Sequence, residues 1–109
     1  MEITIKEANG VQIVAVNGKI DTNTAPEVEL AFIKLLEAGQ FNLLADFENL
    51  SFISSAGLRV LLATAKKAKL QSGGLKVCCL NATVQEVFDI SGFASILQVF
   101  ATQEEALNG

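Results

Sequence analysis

Two neighbouring hydroxyls, Ser54 and Ser55, precede the small pair Ala56-Gly57 and then Leu58-Arg59, where apolar residues at helical spacing begin. A serine at such a junction has two chemical uses. Its oxygen can cap the helix, because the backbone N–H groups of a first turn have no partner inside it. Those N–H groups also carry the positive end of the helix dipole, so the position tolerates an added anion such as phosphate. The two uses are compatible. A capping serine that gains phosphate acquires a charge of about −1.5 to −2 and three acceptor oxygens beside free N–H groups. Bulky side chains at 56 and 57 would fence off the hydroxyl, and Gly57 also permits unusual backbone angles and close approach of a partner. The residues point to a binding module switched by phosphorylation, with Ser54 and Ser55 as the hydroxyls at the turn.

Catalytic alternatives fare worse. The chain has no histidine, which removes Ser-His and Cys-His nucleophiles, the HExxH metal motif and histidine phosphotransfer together. Activation of a serine nucleophile would then fall to a carboxylate or a lysine, and Lys66, Lys67 and Lys69 stand two or more helical turns beyond Ser55. Asp46 ends an apolar run, as the phosphorylated aspartate of a receiver domain does. A receiver also needs an acidic pair at the end of its first strand to hold magnesium, and the early chain offers only Lys6-Glu7 before a turn. No catalytic residue and no cofactor is expected. Cys78 and Cys79 are adjacent, so in a strand they would point to opposite faces, and neither has a spaced partner for a disulfide or a zinc site. They are expected to be buried small hydrophobes, with no metal site.

Asp21 has two readings: a loop residue hydrogen-bonding backbone amides ahead of Thr24, or, with Asp46, part of a site on one rim of a sheet. Arg59, Lys66, Lys67 and Lys69 fall largely off the apolar stripe of their helix. They form either a solvated face with cations toward the helix C-terminus or a docking strip for an acidic partner. Leu30 projects away from the apolar face of its own helix.

These residues need a scaffold. Glu2–Lys6 and Val11–Val16 read as strands joined by an Asn9-Gly10 hairpin turn. A helix follows, with Thr24 and Glu27 as a capping box, Pro26 in the first turn, Val28, Ala31, Phe32, Leu35 and Leu36 on its core face, and Gly39 as its stop. Asn42–Asp46 is a short central strand. The helix after the serine turn carries Leu58, Leu61, Leu62, Ala65 and Ala68, and Ser72-Gly73-Gly74 ends it before a strand over Leu75–Leu80. Thr83-Val84-Gln85-Glu86 reads as a second capping box, opening a short helix through Val87, Phe88 and Ile90 that Gly92 terminates. Ile96–Phe100 is a last strand, and Thr102 with Glu105 opens a terminal helix. The order predicts an α/β fold: a mainly parallel sheet of about five strands, an antiparallel N-terminal edge strand and four helices.

At 109 residues, one domain over 1–109 is expected. The formal net charge of −4 argues against a broad basic surface for nucleic acid or anionic membrane. Nowhere does an apolar run approach the roughly 18 residues of a membrane span, so a cytoplasmic location is expected.

Leu50-Ser51-Phe52-Ile53-Ser54-Ser55-Ala56-Gly57-Leu58 resembles the signature of STAS domains, and the chain length resembles the stand-alone anti-sigma factor antagonists. The resemblance extends through Gly18-Lys19-Ile20-Asp21, Asp46-Phe47 and Val87-Phe88-Asp89-Ile90-Ser91-Gly92. It implies a partner switch. The unphosphorylated protein would bind an anti-sigma factor that is also an ATP-dependent serine kinase, phosphorylation would release it, and a serine phosphatase would reset it. By the same resemblance the phosphoacceptor falls on Ser55 and the family's acidic residue on Asp21, with Ser54, Ala56, Gly57, Leu58 and Arg59 completing the docking surface. The familiar pattern has Asp before the acceptor and Ser after it, where this chain has Ser54 and Ala56, which leaves Ser54 as a rival acceptor. A non-enzymatic STAS scaffold in a stress-signalling or transport complex is the alternative function.

Overall fold

A computed structural model describes residues 1–109. β1 (Glu2–Ala8) and β2 (Val11–Ile20) form an antiparallel hairpin in which Glu2 faces Asn17 and Ala8 faces Val11. Asn9 and Gly10 join them with φ of 54° and 76°. Two positive φ values are what a two-residue turn of primed type needs to match strand twist.

The parallel part of the sheet is built from β3 (Asn42–Asp46), β5 (Gly74–Cys78) and β6 (Gln98–Phe100), giving the order β1-β2-β3-β5-β6. The sixth strand, β4 (Leu50–Ile53), lies off this path. β2 is long enough to serve two neighbours. Gln12 to Ala15 pair with β3, and after a register shift between Gly18 and Lys19 its last residues pair with β4. The mixed sheet thus has one strand more than the sequence pattern resolves, because Leu50-Ser51-Phe52-Ile53 buries its two ends and exposes its middle, without strand alternation.

α1 (Ala25–Glu37) and α2 (Ser55–Leu70) pack together over the main core, where Phe32, Phe47, Leu61 and Phe88 are fully buried. α1 ends as expected: Gly39 takes φ +81°, its N–H donates to Leu36, and Gln40 donates to Leu35. α3 (Ala82–Ser91) stops at Gly92, also left-handed, and a 3₁₀ turn (Phe93–Ser95) leads into β6. Within α3, Phe88 is buried and Ile90 is exposed. α4 (Gln103–Asn108) packs on β5 and β6, beside a smaller core of Ile13, Leu44, Cys78 and Ala106. Lys76 crosses from β5 to donate to the Ala106 and Gly109 carbonyls, placing a cation at the C-terminal end of α4.

Capping differs from the sequence pattern at two helices. The Thr24 hydroxyl does not cap α1; it accepts from Asp21 N–H and donates to the Lys19 carbonyl. Asp21 Oδ1 accepts from the Asn23 and Thr24 N–H groups, which lie ahead of α1, so α1 begins without a side-chain cap. α3 begins two residues before the expected box, with Asn81 accepting from Val84 N–H at 2.8 Å. At α4 the expected Thr102 cap forms, accepting from Glu105 N–H.

Candidate functional site

β2 and β4 end side by side, Ile20 opposite Ile53, and the chain turns from Ile53 directly into α2. The turn is held from three directions. Ser54 N–H donates to the Ile20 carbonyl at 2.8 Å, Leu58 N–H donates to the Ser54 carbonyl at 3.0 Å, and Ser54 Oγ accepts from Gly57 N–H at 3.4 Å. Ser54 is therefore the N-cap, half-buried and in extended conformation. Ser55 is the first helical residue and is exposed. The hydroxyl committed to the fold is that of Ser54, while that of Ser55 faces solvent beside the unpaired first-turn N–H groups.

Gly57 and Leu58 are buried, so neither presents a side chain to a partner. A Cβ on Gly57 would come within 2.7 Å of both Ile20 and Ile53. Its glycine lets the head of α2 settle on the strand ends, and its φ lies outside the left-handed range. The close approach is to the protein's own core. Ala56 is half-buried, and Arg59, one helical turn after Ser55, is exposed on the same side. Phe52 is 40% exposed just before the turn.

Asp21 follows Ile20 and so stands next to the Ser54 turn. Backbone hydrogen bonds, first from Thr24 and also from Asn23, hold its carboxyl below the usual aspartate value, with Lys19 adding attraction. Asp46 does not share this rim. It pairs with Ala15, and the remaining length of β2 separates the two aspartates by roughly 20 Å. Asn81, which sequence patterns passed over in favour of Thr83, fixes the site from below: its Nδ2 donates to the Leu50 carbonyl while its Oδ1 caps α3. An Asn two residues ahead of Thr83 was the available signal.

Arg59, Lys66, Lys67 and Lys69 are all exposed along α2, and Leu30 is exposed on α1. A depression of about 310 Å³ lined by Asn9, Gly10, Asn42, Gly74, Lys76 and Gln98 opens at the N-terminal ends of the parallel strands. It lies at the other end of the sheet from Ser55. No helix is long and apolar enough to cross a membrane.

The cysteines depart most from expectation. Cys79 has φ +68°, ending β5 at Cys78 and bringing its sulfur within 3.3 Å of the Cys78 sulfur, not to the opposite face. Burial pushes the Cys78 thiol well up, aided by the hydrogen bond with Cys79 and the nearby Asp46 charge. Burial raises Cys79 as well.

A mixed α/β sheet carries an exposed serine hydroxyl at the head of α2, at the end opposite the depression between the strand N-termini. The STAS domain family profile matches residues 2–106, and the chain belongs to that family. BtrV of Bordetella bronchiseptica is 36% identical over 106 residues, covering 97% of this chain and 91% of its own. The anti-sigma-B factor antagonist of Bacillus subtilis is 30% identical, covering 95% and 94%. The crystal structure of an anti-sigma factor antagonist from Mycobacterium paratuberculosis superposes with a TM-score of 0.90 at 26% identity, covering 98% of this chain and 91% of that one.

Proposed function

We propose that this chain is an anti-sigma factor antagonist working by partner switching in the control of sigma-dependent transcription. Unphosphorylated, it binds an anti-sigma factor with serine kinase activity; phosphate on Ser55 releases it, and a serine phosphatase resets it. The observation that carries this is the division of labour between the two serines: Ser54 caps α2, while Ser55 stands exposed at its first position. Relatives named as anti-sigma factor antagonists along nearly their whole length support the partner class. The docking surface comprises Asp21, Ser54, Ser55, Ala56 and Arg59, with Gly57 and Leu58 shaping it from beneath.

The switch is electrostatic. A phosphate placed within a closed protein interface must be desolvated or must part the surfaces, and a loss of about 3 to 4 kcal/mol weakens affinity by roughly 100- to 1,000-fold. Within the free protein the same phosphate is tolerated, because first-turn N–H groups and Arg59 lie beside it. The test is incubation with anti-sigma kinases of the same genome and ATP, followed by mass spectrometry and binding measurements. Phosphate on Ser55 and loss of partner binding after the reaction are expected. Phosphorylation elsewhere, or undiminished binding of the phosphorylated protein, would overturn the proposal.

A further inference from the structure

We propose that Cys78, Cys79 and Asp46 form a binding site for a thiophilic divalent cation of the zinc class. One sulfur from each cysteine and one carboxylate oxygen of Asp46 all lie within 4.8 Å of one another. Asp46 and Cys78 are register partners at the ends of β3 and β5, so the sheet itself sets two of the three donors. The third is set by the left-handed backbone at Cys79. A non-glycine residue rarely adopts that conformation, and in regular strand geometry the two thiols would be on opposite faces. Here Cys79 N–H donates to the Phe100 carbonyl and Phe47 N–H to the Cys78 carbonyl, which fixes the backbone around both cysteines.

The donor set selects the ion. Two thiols and one carboxylate suit a borderline-soft cation; magnesium and calcium take oxygen ligands and would leave the sulfurs idle. Tetrahedral zinc with sulfur at about 2.3 Å sets its two sulfurs about 3.8 Å apart. The observed 3.3 Å needs only a small opening by side-chain rotation. Asp46 is already oriented as a ligand is, its Oδ1 accepting from Glu48 N–H at 3.0 Å and its Oδ2 from Gln103 Nε2 at 2.8 Å. Half-buried Cys79 leaves a route for the ion. Gln103 belongs to α4, so a bound ion joins β3, β5 and α4 at one corner, just ahead of the segment leading to β4. The site is independent of Ser55.

The experiment titrates the reduced full chain with zinc against a chromophoric chelator, and with cadmium followed by its thiolate charge-transfer absorption. One equivalent per chain is expected, with cadmium absorption appearing over the same equivalent. Cys79→Ser and Asp46→Asn should each weaken zinc at least about tenfold, whereas Glu48→Gln, altering the neighbouring exposed carboxylate, should not. Circular dichroism of each variant reports folding; because Cys79 is only half-buried, its serine variant is the decisive one. An Asp46→Asn protein that binds as the parent does would mean capture by the cysteine pair alone and would overturn the three-donor site. So would absence of stoichiometric uptake by the reduced chain.

Discussion

Ser54 and Ile20 are joined by a 2.8 Å hydrogen bond from the serine N–H to the isoleucine carbonyl. It is the last rung between β4 and β2, extended one residue into the turn that opens α2. It ties the end of one strand to the head of one helix, with Asp21 on one side and Ser55 on the other.

Ser54 and Ser55 should therefore separate cleanly on mutation. Ser54→Ala removes the N-cap and should destabilise the protein by about 1 kcal/mol, while leaving phosphorylation intact. Ser55→Ala should leave the urea midpoint nearly unchanged and abolish phosphorylation. Ser55→Asp should weaken binding to the anti-sigma partner by roughly 100-fold if it carries most of the penalty of a phosphate. Urea unfolding, phosphopeptide mass spectrometry and calorimetry check the three. Binding of Ser55→Asp as tight as the parent would contradict the electrostatic switch.

At Gly57 the cost is steric. A methyl group there meets the Ile20 and Ile53 side chains at 2.7 Å, and both are fully buried between strands and helix. Gly57→Ala should destabilise the fold by about 1 to 3 kcal/mol as the head of α2 lifts from the strand ends. The measurement is the shift in urea midpoint, and a variant as stable as the parent would show that this junction yields. Partner binding should weaken too, since Ser55 rides on the displaced turn.

What the sequence made legible was the chemistry that acts within a few residues. Asn9-Gly10, Gly39, Gly92 and Thr102 each perform the local task that their type and position suggest. β4 was hidden because its pattern of burial is set by what lies on either side of it, not by its own alternation. Asp21 was legible in one of its two readings, a loop carboxylate accepting from backbone amides ahead of α1. Asn81 was harder: it outcompeted Thr83, whose spacing matched a capping box, because its amide also bonds β4. The meeting of Cys78 and Cys79 was not legible at all, since the left-handed residue at 79 is not a glycine or asparagine that would mark such a turn.

Asn81 holds two elements at once, and its removal should show both losses. Asn81→Ala leaves Val84 N–H uncapped and the Leu50 carbonyl without its donor. A cap is worth about 1 kcal/mol and a further part-buried hydrogen bond about as much, so a destabilisation of about 1.5 to 3 kcal/mol is expected. Asn81→Asp keeps the acceptor and loses the amide donor, so it should recover the capping share alone. Chemical denaturation of the three proteins gives the partition, and equal loss in both variants would assign the whole effect to the β4 contact.

Asp21 should be visible in the pH dependence of stability. Hydrogen bonds from Thr24 and Asn23 favour its carboxylate form, so its folded pKa lies below the ordinary 3.8. For a group depressed on folding, the contribution is fully present above the unfolded value and is lost as the pH falls through the folded one. Relative to Asp21→Asn, the parent should thus hold a constant advantage at neutral pH that shrinks as the pH drops below about 4. Added salt should change this little, because short backbone hydrogen bonds and not distant charges are the main cause. A carboxyl carbon resonance titrating at or above 3.8 would show that these hydrogen bonds do not favour the carboxylate form.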